Sequence, residues 1–169
     1  MRENIIITGF MGTGKSVVAK ELARKLEMEF IDMDQIIEER QGMSISNIFS
    51  RYGEKYFREQ ENKLVKELFQ KENMVIATGG GTFLSSDNAR ILNQKGKIIC
   101  LYADSQVIYK RLKRKNNRPL LNGENILDKI NRLLEERKKM YDSFYWKVDT
   151  TNRTTPEVVD KIIDLLKGE

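Results

Sequence analysis

Histidine is missing from these 169 residues altogether. Any acid–base step must therefore use carboxylates, lysines or water. Cysteine occurs once, at Cys100, so no internal disulfide can form. Its setting, Ile98-Ile99-Cys100-Leu101, reads as buried strand, where a lone thiol serves as apolar filler. Such usage fits a reducing compartment, and a cytoplasmic location is expected. No apolar run approaches the length of a membrane span, and the apolar segment beginning at residue 4 leaves no room for a signal peptide, so neither membrane association nor export is expected. Prolines number two, and aromatics make up 8% of the chain.

What is present is charge. Charged residues make up 33% of the chain and hydrophobic ones 40%, as in a soluble globular protein, and the length suits one domain, 1–169, with its own core. The net charge is +5. Five of the eight positions 111–118 are Lys or Arg, yet no aromatics interleave them to stack on bases. Anionic small molecules account for this basic excess better than nucleic acid does, so no nucleic-acid partner is expected.

Apolar runs alternate with amphipathic stretches, the pattern of a parallel sheet wrapped by helices. Strands are expected at 4–8, 29–31, 74–77, 97–102 and 146–149. Helices are expected at 15–26, 35–39, 45–51, 55–70, 87–94, 105–113, 126–142 and 156–166, the last with Pro156 in its first turn after a Thr154 or Thr155 cap. The segment 113–124 departs from this pattern. It is polar, basic and rich in Asn, and suits a lid that closes on phosphates, with Arg118 as a clamp; the alternative is a solvated surface loop.

The most informative stretch is Gly9-Phe10-Met11-Gly12-Thr13-Gly14-Lys15-Ser16, a G-x-x-x-x-G-K-[ST] phosphate-binding loop between a strand and a helix. Its backbone N–H groups can curl around phosphate oxygens at the positive end of the helix dipole. Lys15 would reach the β- and γ-phosphates of a nucleoside triphosphate, and the Ser16 hydroxyl would ligate magnesium. Asp32-Met33-Asp34 closes the second strand. There both carboxylates would share a face, Asp32 for magnesium and Asp34 for a substrate hydroxyl or its proton. Asp34 fits a helix N-cap equally well. Arg58 and Glu61 are neighbours on one helix face; the carboxylate could orient the arginine fork for a planar anion, although such a pair taken alone is more often a surface ion pair. Gly79-Gly80-Gly81 follows the third strand and would admit a ligand close to the backbone. Arg137, with Tyr141 one turn later, taken alone is one of several charges on a solvated helix face.

In order and spacing these pieces resemble the shikimate kinase family over nearly the whole chain. The matching residues are the phosphate loop, Phe30-Ile31-Asp32-Met33-Asp34, Ile48-Phe49 with Gly53-Glu54, Phe57-Arg58 with Glu61, the triple glycine, Arg118-Pro119-Leu120-Leu121, Arg137 with Tyr141, and Val148-Asp149-Thr150 before Pro156. The resemblance implies an α/β fold with a five-stranded parallel sheet in order 2-3-1-4-5, a substrate-binding helical region at about 33–61, and a monomer. It implies magnesium-dependent transfer of the ATP γ-phosphoryl group to the 3-hydroxyl of shikimate, a step of aromatic amino-acid biosynthesis. Lys15, Asp34 and Arg118 would then be catalytic. Gly12, Thr13, Gly14, Lys15, Ser16, Val17, Arg111, Arg118, Asn152 and Arg153 would hold the nucleotide, Arg111 by stacking on adenine, with Arg114 as its alternative. Asp34, Arg58, Gly79, Gly80, Gly81 and Arg137 would hold shikimate, with Phe49 and Phe57 lining the pocket and Glu61 orienting Arg58. Two positions depart from the family pattern: Val17 replaces a hydroxyl residue, and Lys138-Lys139-Met140 replaces a segment that usually contains Pro-Leu.

Overall fold

A computed structural model describes residues 3–114 and 125–168. Ile5-Ile6-Ile7 has no polar alternation, as expected of a strand covered on both faces. It forms the centre of β1 (Asn4–Gly9), all six of whose residues are buried. β1 pairs in parallel with β3 (Met74–Ala77) on one side and β4 (Gly96–Tyr102) on the other. β2 (Glu29–Asp32) and β5 (Trp146–Asp149) complete a five-stranded parallel sheet in the order 2-3-1-4-5.

Alternate residues of β1 serve opposite layers. Ile5 and Ile7 pack with α1 (Lys15–Leu26) and α7 (Thr155–Lys167). Ile6 packs with α2 (Met33–Gln41), α3 (Ile45–Leu68) and α4 (Ser86–Asn93). A smaller cluster joins Phe10 and Met11 of the phosphate loop to α5 (Ser105–Lys113) and α6 (Ile126–Asp142). Thr154 caps α7, its N–H donating to Glu157 Oε2 at 2.7 Å, with Pro156 in the first turn.

Two departures from expectation bear on the site, one set by a cap and one by a kink. β2 ends at Asp32, and α2 begins at Met33 rather than at 35, because Asp32 Oδ1 accepts the Gln35 N–H at 3.2 Å and so caps the helix. Asp34 is therefore neither a strand residue sharing a face with Asp32 nor the cap; it lies in the first turn of α2. The helices expected at 45–51 and 55–70 are two arms of α3, joined at a kink where Gly53 has φ 82° and ψ 169°. The expected lid lies, from 115 on, outside the described residues, and Arg118 with it.

Cys100 is buried, and burial pushes its thiol up to about 12. A thiolate reagent should therefore modify the native protein orders of magnitude more slowly than the unfolded chain. Comparing labelling rates with and without guanidinium checks this, and equal rates would contradict the burial. Among the described residues no helix is long and apolar enough to cross a membrane.

Candidate active site

Parallel strands direct their carboxyl ends to one edge, and the loops leaving β1, β2 and β3 meet there. The loop after β1 leads through Gly14, which has φ 96°, into α1 without a side-chain cap. The first N–H groups of α1 are thus left for a ligand, the arrangement an anion needs. Gly12, Thr13, Gly14, Lys15, Ser16 and Val17 all line a cleft together with Arg111, Arg114, Thr150 and Arg153. Lys15 Nζ donates to the Phe10 carbonyl at 3.1 Å. Val17 is 56% exposed, and its side chain has no hydroxyl to offer the cleft. Arg153 donates to the Asp149 carbonyl at 2.7 Å. Burial pulls Asp149 upward, but hydrogen bonds from Thr151 and the charges of Arg153 and Arg111 hold it below the usual carboxylate range. Asn152, expected in this cleft, is exposed and does not line it. Asp32 lines neither cavity; its side chain is occupied as the cap of α2.

A second cavity adjoins the first. Its walls are Phe49 and Phe57 from the two arms of α3, with ring centroids 5.1 Å apart, and its polar groups are Asp34, Arg58 and Arg137. Gly79, Gly80 and Gly81 form its floor. The glycines are needed there by close approach. A Cβ on Gly79 would lie 2.6 Å from Glu61 Oε1 and 3.0 Å from Asp34 Oδ1, and one on Gly81 would lie 2.5 Å from Arg58 Nη2. Asp34 lines both cavities.

The Arg58–Glu61 pair corrects the surface reading. The Glu61 side chain is only 2% exposed, and its Oε2 accepts from Arg58 at 2.9 Å while its Oε1 accepts from the Thr82 hydroxyl at 2.6 Å. Glu54 holds Arg58 from the other side at 3.0 Å. Burial disfavours the Arg58 charge, but Glu61 and Glu54 outweigh it, and the guanidinium is held above its ordinary value. Exposed pairs such as Arg40–Glu67 contribute only ~0–1 kcal/mol. Removing one partner of a buried pair costs about 3–5 kcal/mol, so Arg58–Glu61 is the ion pair that matters.

Arg137 is likewise buried rather than on a solvated face. It donates to the Gly80 carbonyl at 3.4 Å, and its guanidinium carbon lies 5.8 Å from the Phe10 ring centroid. Tyr141 donates to the same carbonyl at 3.3 Å, and burial pushes its phenol up to about 12. The Lys138-Lys139-Met140 segment still brings Arg137 and Tyr141 to the glycine run; Met140 packs against the core. Sequence reasoning missed Met11 and Ile45 as parts of the second cavity, and it gave no task to Thr150, which lines the first.

Residues 11–167 match the family model described as "Shikimate kinase". Curated relatives named shikimate kinase are 45% identical in Thermodesulfovibrio yellowstonii, covering 95% of this chain and 93% of that one, and 46% identical in Pelotomaculum thermopropionicum, covering 98% and 96%. The structure of the Acinetobacter baumannii shikimate kinase in complex with shikimate superposes with a TM-score of 0.95 at 34% identity, covering 99% of this chain and 94% of that one. The chain belongs to the shikimate kinase family, a family of ATP-dependent kinases.

Proposed function

We propose that this chain transfers the γ-phosphoryl group of ATP to the 3-hydroxyl of shikimate, giving shikimate 3-phosphate and ADP for aromatic amino-acid biosynthesis in the cytoplasm. One observation carries the reading: Asp34 lines both the phosphate-loop cleft and the glycine-floored cavity, where a donor phosphate and an acceptor hydroxyl would meet. The acceptor cavity holds two arginines for a carboxylate and one carboxylate for a hydroxyl, which asks for both groups on one small ligand. A nucleotide acceptor, which has no carboxylate, matches that set less well. The shikimate complex of the A. baumannii relative supports the same choice.

Each side chain then has a task. Arg58, pinned by Glu61 and Glu54, and Arg137, on the Gly80 carbonyl, grip the ligand carboxylate. Asp34 accepts the hydroxyl proton as a hydrogen bond and aims the oxygen at the phosphorus. Phosphoryl transfer needs chiefly positioning and charge neutralisation, so the lack of histidine is no obstacle. Lys15 leaves the Phe10 carbonyl for the phosphates, and Gly12, Thr13, Gly14 and Ser16 cradle them. Arg111 and Arg153 border the base-binding end, and Arg118, outside the described residues, would supply positive charge to the phosphates.

The donor set fits magnesium. Ser16 lines the phosphate-loop cleft and offers a hard oxygen, while Asp32, the other expected ligand, lines neither cavity and caps α2, so it would act on the ion only through water. Magnesium suits such a site, since it keeps several waters and binds through one or two protein oxygens plus substrate phosphates. Bound there, the ion would neutralise charge on the transferring group.

The test is ADP release with ATP and magnesium, run with shikimate, gluconate, AMP or no acceptor. Turnover with shikimate alone is the expected result. Equal rates with gluconate, or none with any acceptor, would sink the proposal.

A further inference from the structure

Thr150 stands just beyond β5 and is buried, with no substrate-facing task in the mechanism above. Its surroundings are unusual for a loop threonine. The Thr150 N–H donates to the Tyr102 carbonyl at 2.8 Å. Its hydroxyl accepts from Arg111 Nη1 at 3.0 Å, and lies 3.0 Å from the Thr13 carbonyl and 3.2 Å from that of Tyr102. A hydroxyl has a single proton. The Thr13 oxygen is the nearer of the two, so the proton is best placed there. A chain results: guanidinium to hydroxyl to phosphate-loop carbonyl, each donor polarising the next. Arg111 Nη1 also donates to the Gly12 carbonyl at 3.2 Å, and its Nη2 to the Thr150 carbonyl at 2.7 Å.

The effect is on peptide orientation. An anion nest works only while its peptides turn N–H groups inward and carbonyl oxygens outward. Gly12, with φ 81°, is free to let its peptide flip, which would point an oxygen at the phosphates. Two successive carbonyls, of Gly12 and Thr13, are held outward by the Arg111–Thr150 pair, while the Phe10 carbonyl is held by the Thr13 hydroxyl at 2.7 Å.

We propose that Thr150 is a positioning residue: together with Arg111 it latches the phosphate-loop carbonyls away from the nucleotide and so keeps the nest pre-formed for polyphosphate. This rests on the nucleotide cleft of the proposed function and adds a residue to it. Arg111 meets these oxygens with its edge, which leaves its planar face for adenine. The two roles of Arg111 are separable with a ligand that has no base.

Calorimetry with inorganic tripolyphosphate, ADP and shikimate on the whole chain provides the test. Thr150→Val and Thr150→Ala remove the hydroxyl; Thr150→Ser keeps it. Losing one buried, charge-assisted link should raise the Kd of both tripolyphosphate and ADP roughly tenfold in each hydroxyl-free variant that folds. Shikimate affinity should stay within about twofold of wild type, and Thr150→Ser should restore polyphosphate binding. Unchanged tripolyphosphate affinity in a folded hydroxyl-free variant, equal loss in Thr150→Ser, or parallel loss of shikimate would overturn the latch. Wild-type protein that binds neither ADP nor tripolyphosphate would instead refute the nucleotide cleft itself.

Discussion

Asp34→Asn should lower kcat by roughly 10²–10⁴-fold while changing shikimate affinity little. The substitution keeps the shape and the first-turn position in α2. It replaces an acceptor-only carboxylate with an amide, half of which is a donor. A hydroxyl aimed by that group loses its alignment, and any proton it sheds loses its destination. Because the side chain sits where the two cavities join, the loss should appear in the chemical step rather than in binding either partner. Single-turnover measurement with saturating ATP and shikimate isolates that step. Turnover within about threefold of wild type would remove Asp34 from the chemistry.

Arg58→Met should raise the KM for shikimate about a hundredfold, equivalent to ~2.7 kcal/mol, and leave ADP affinity unchanged. Here two effects are mixed, and magnitudes separate them. Losing a charge-assisted grip on the ligand carboxylate weakens binding. Leaving Glu61 buried beside only the Thr82 hydroxyl also destabilises the fold, by about 3–5 kcal/mol. Adding Glu61→Gln to Arg58→Met removes the stranded charge. The double variant should recover much of the melting temperature but none of the shikimate affinity. If affinity returned with stability, Arg58 would be a structural residue and not a ligand contact. A fall in ADP affinity matching that for shikimate would equally dismiss its assigned role.

The parts legible in the sequence are those set by neighbours along the chain. The phosphate loop is contiguous, and its strand and helix flank it directly. The break at Gly53 and the capped start of α7 are local in the same sense. The aspartates after β2 were harder: Asp32 and Asp34 are equally good caps by type, and only the fold selects Asp32. Burial was harder still. Arg58, Glu61 and Arg137 look like ordinary surface charges on polar helices, because what covers them, Thr82 and the glycine run, lies 20 or more positions away in the chain. The family resemblance supplied what local pattern could not, by placing these residues in one pocket. Thr150 stands in the Val148-Asp149-Thr150 stretch that resembles the family, but its task stayed hidden: its partners come from the phosphate loop, the end of β4 and α5, and nothing beside it in sequence announces them.

The glycine floor bears on resistance. An inhibitor that leans on Gly79 and Gly81 rests against backbone, and at either position even a single added methyl would strike Glu61, Asp34 or Arg58. Escape by mutation there would disable the enzyme along with the drug. Variants that defeat such a compound should instead arise among the apolar lining residues, at Met11, Ile45 or Phe49, which already carry side chains that can be exchanged for others of similar volume. A compound that derives its affinity from the floor and touches those residues lightly leaves the organism few viable substitutions.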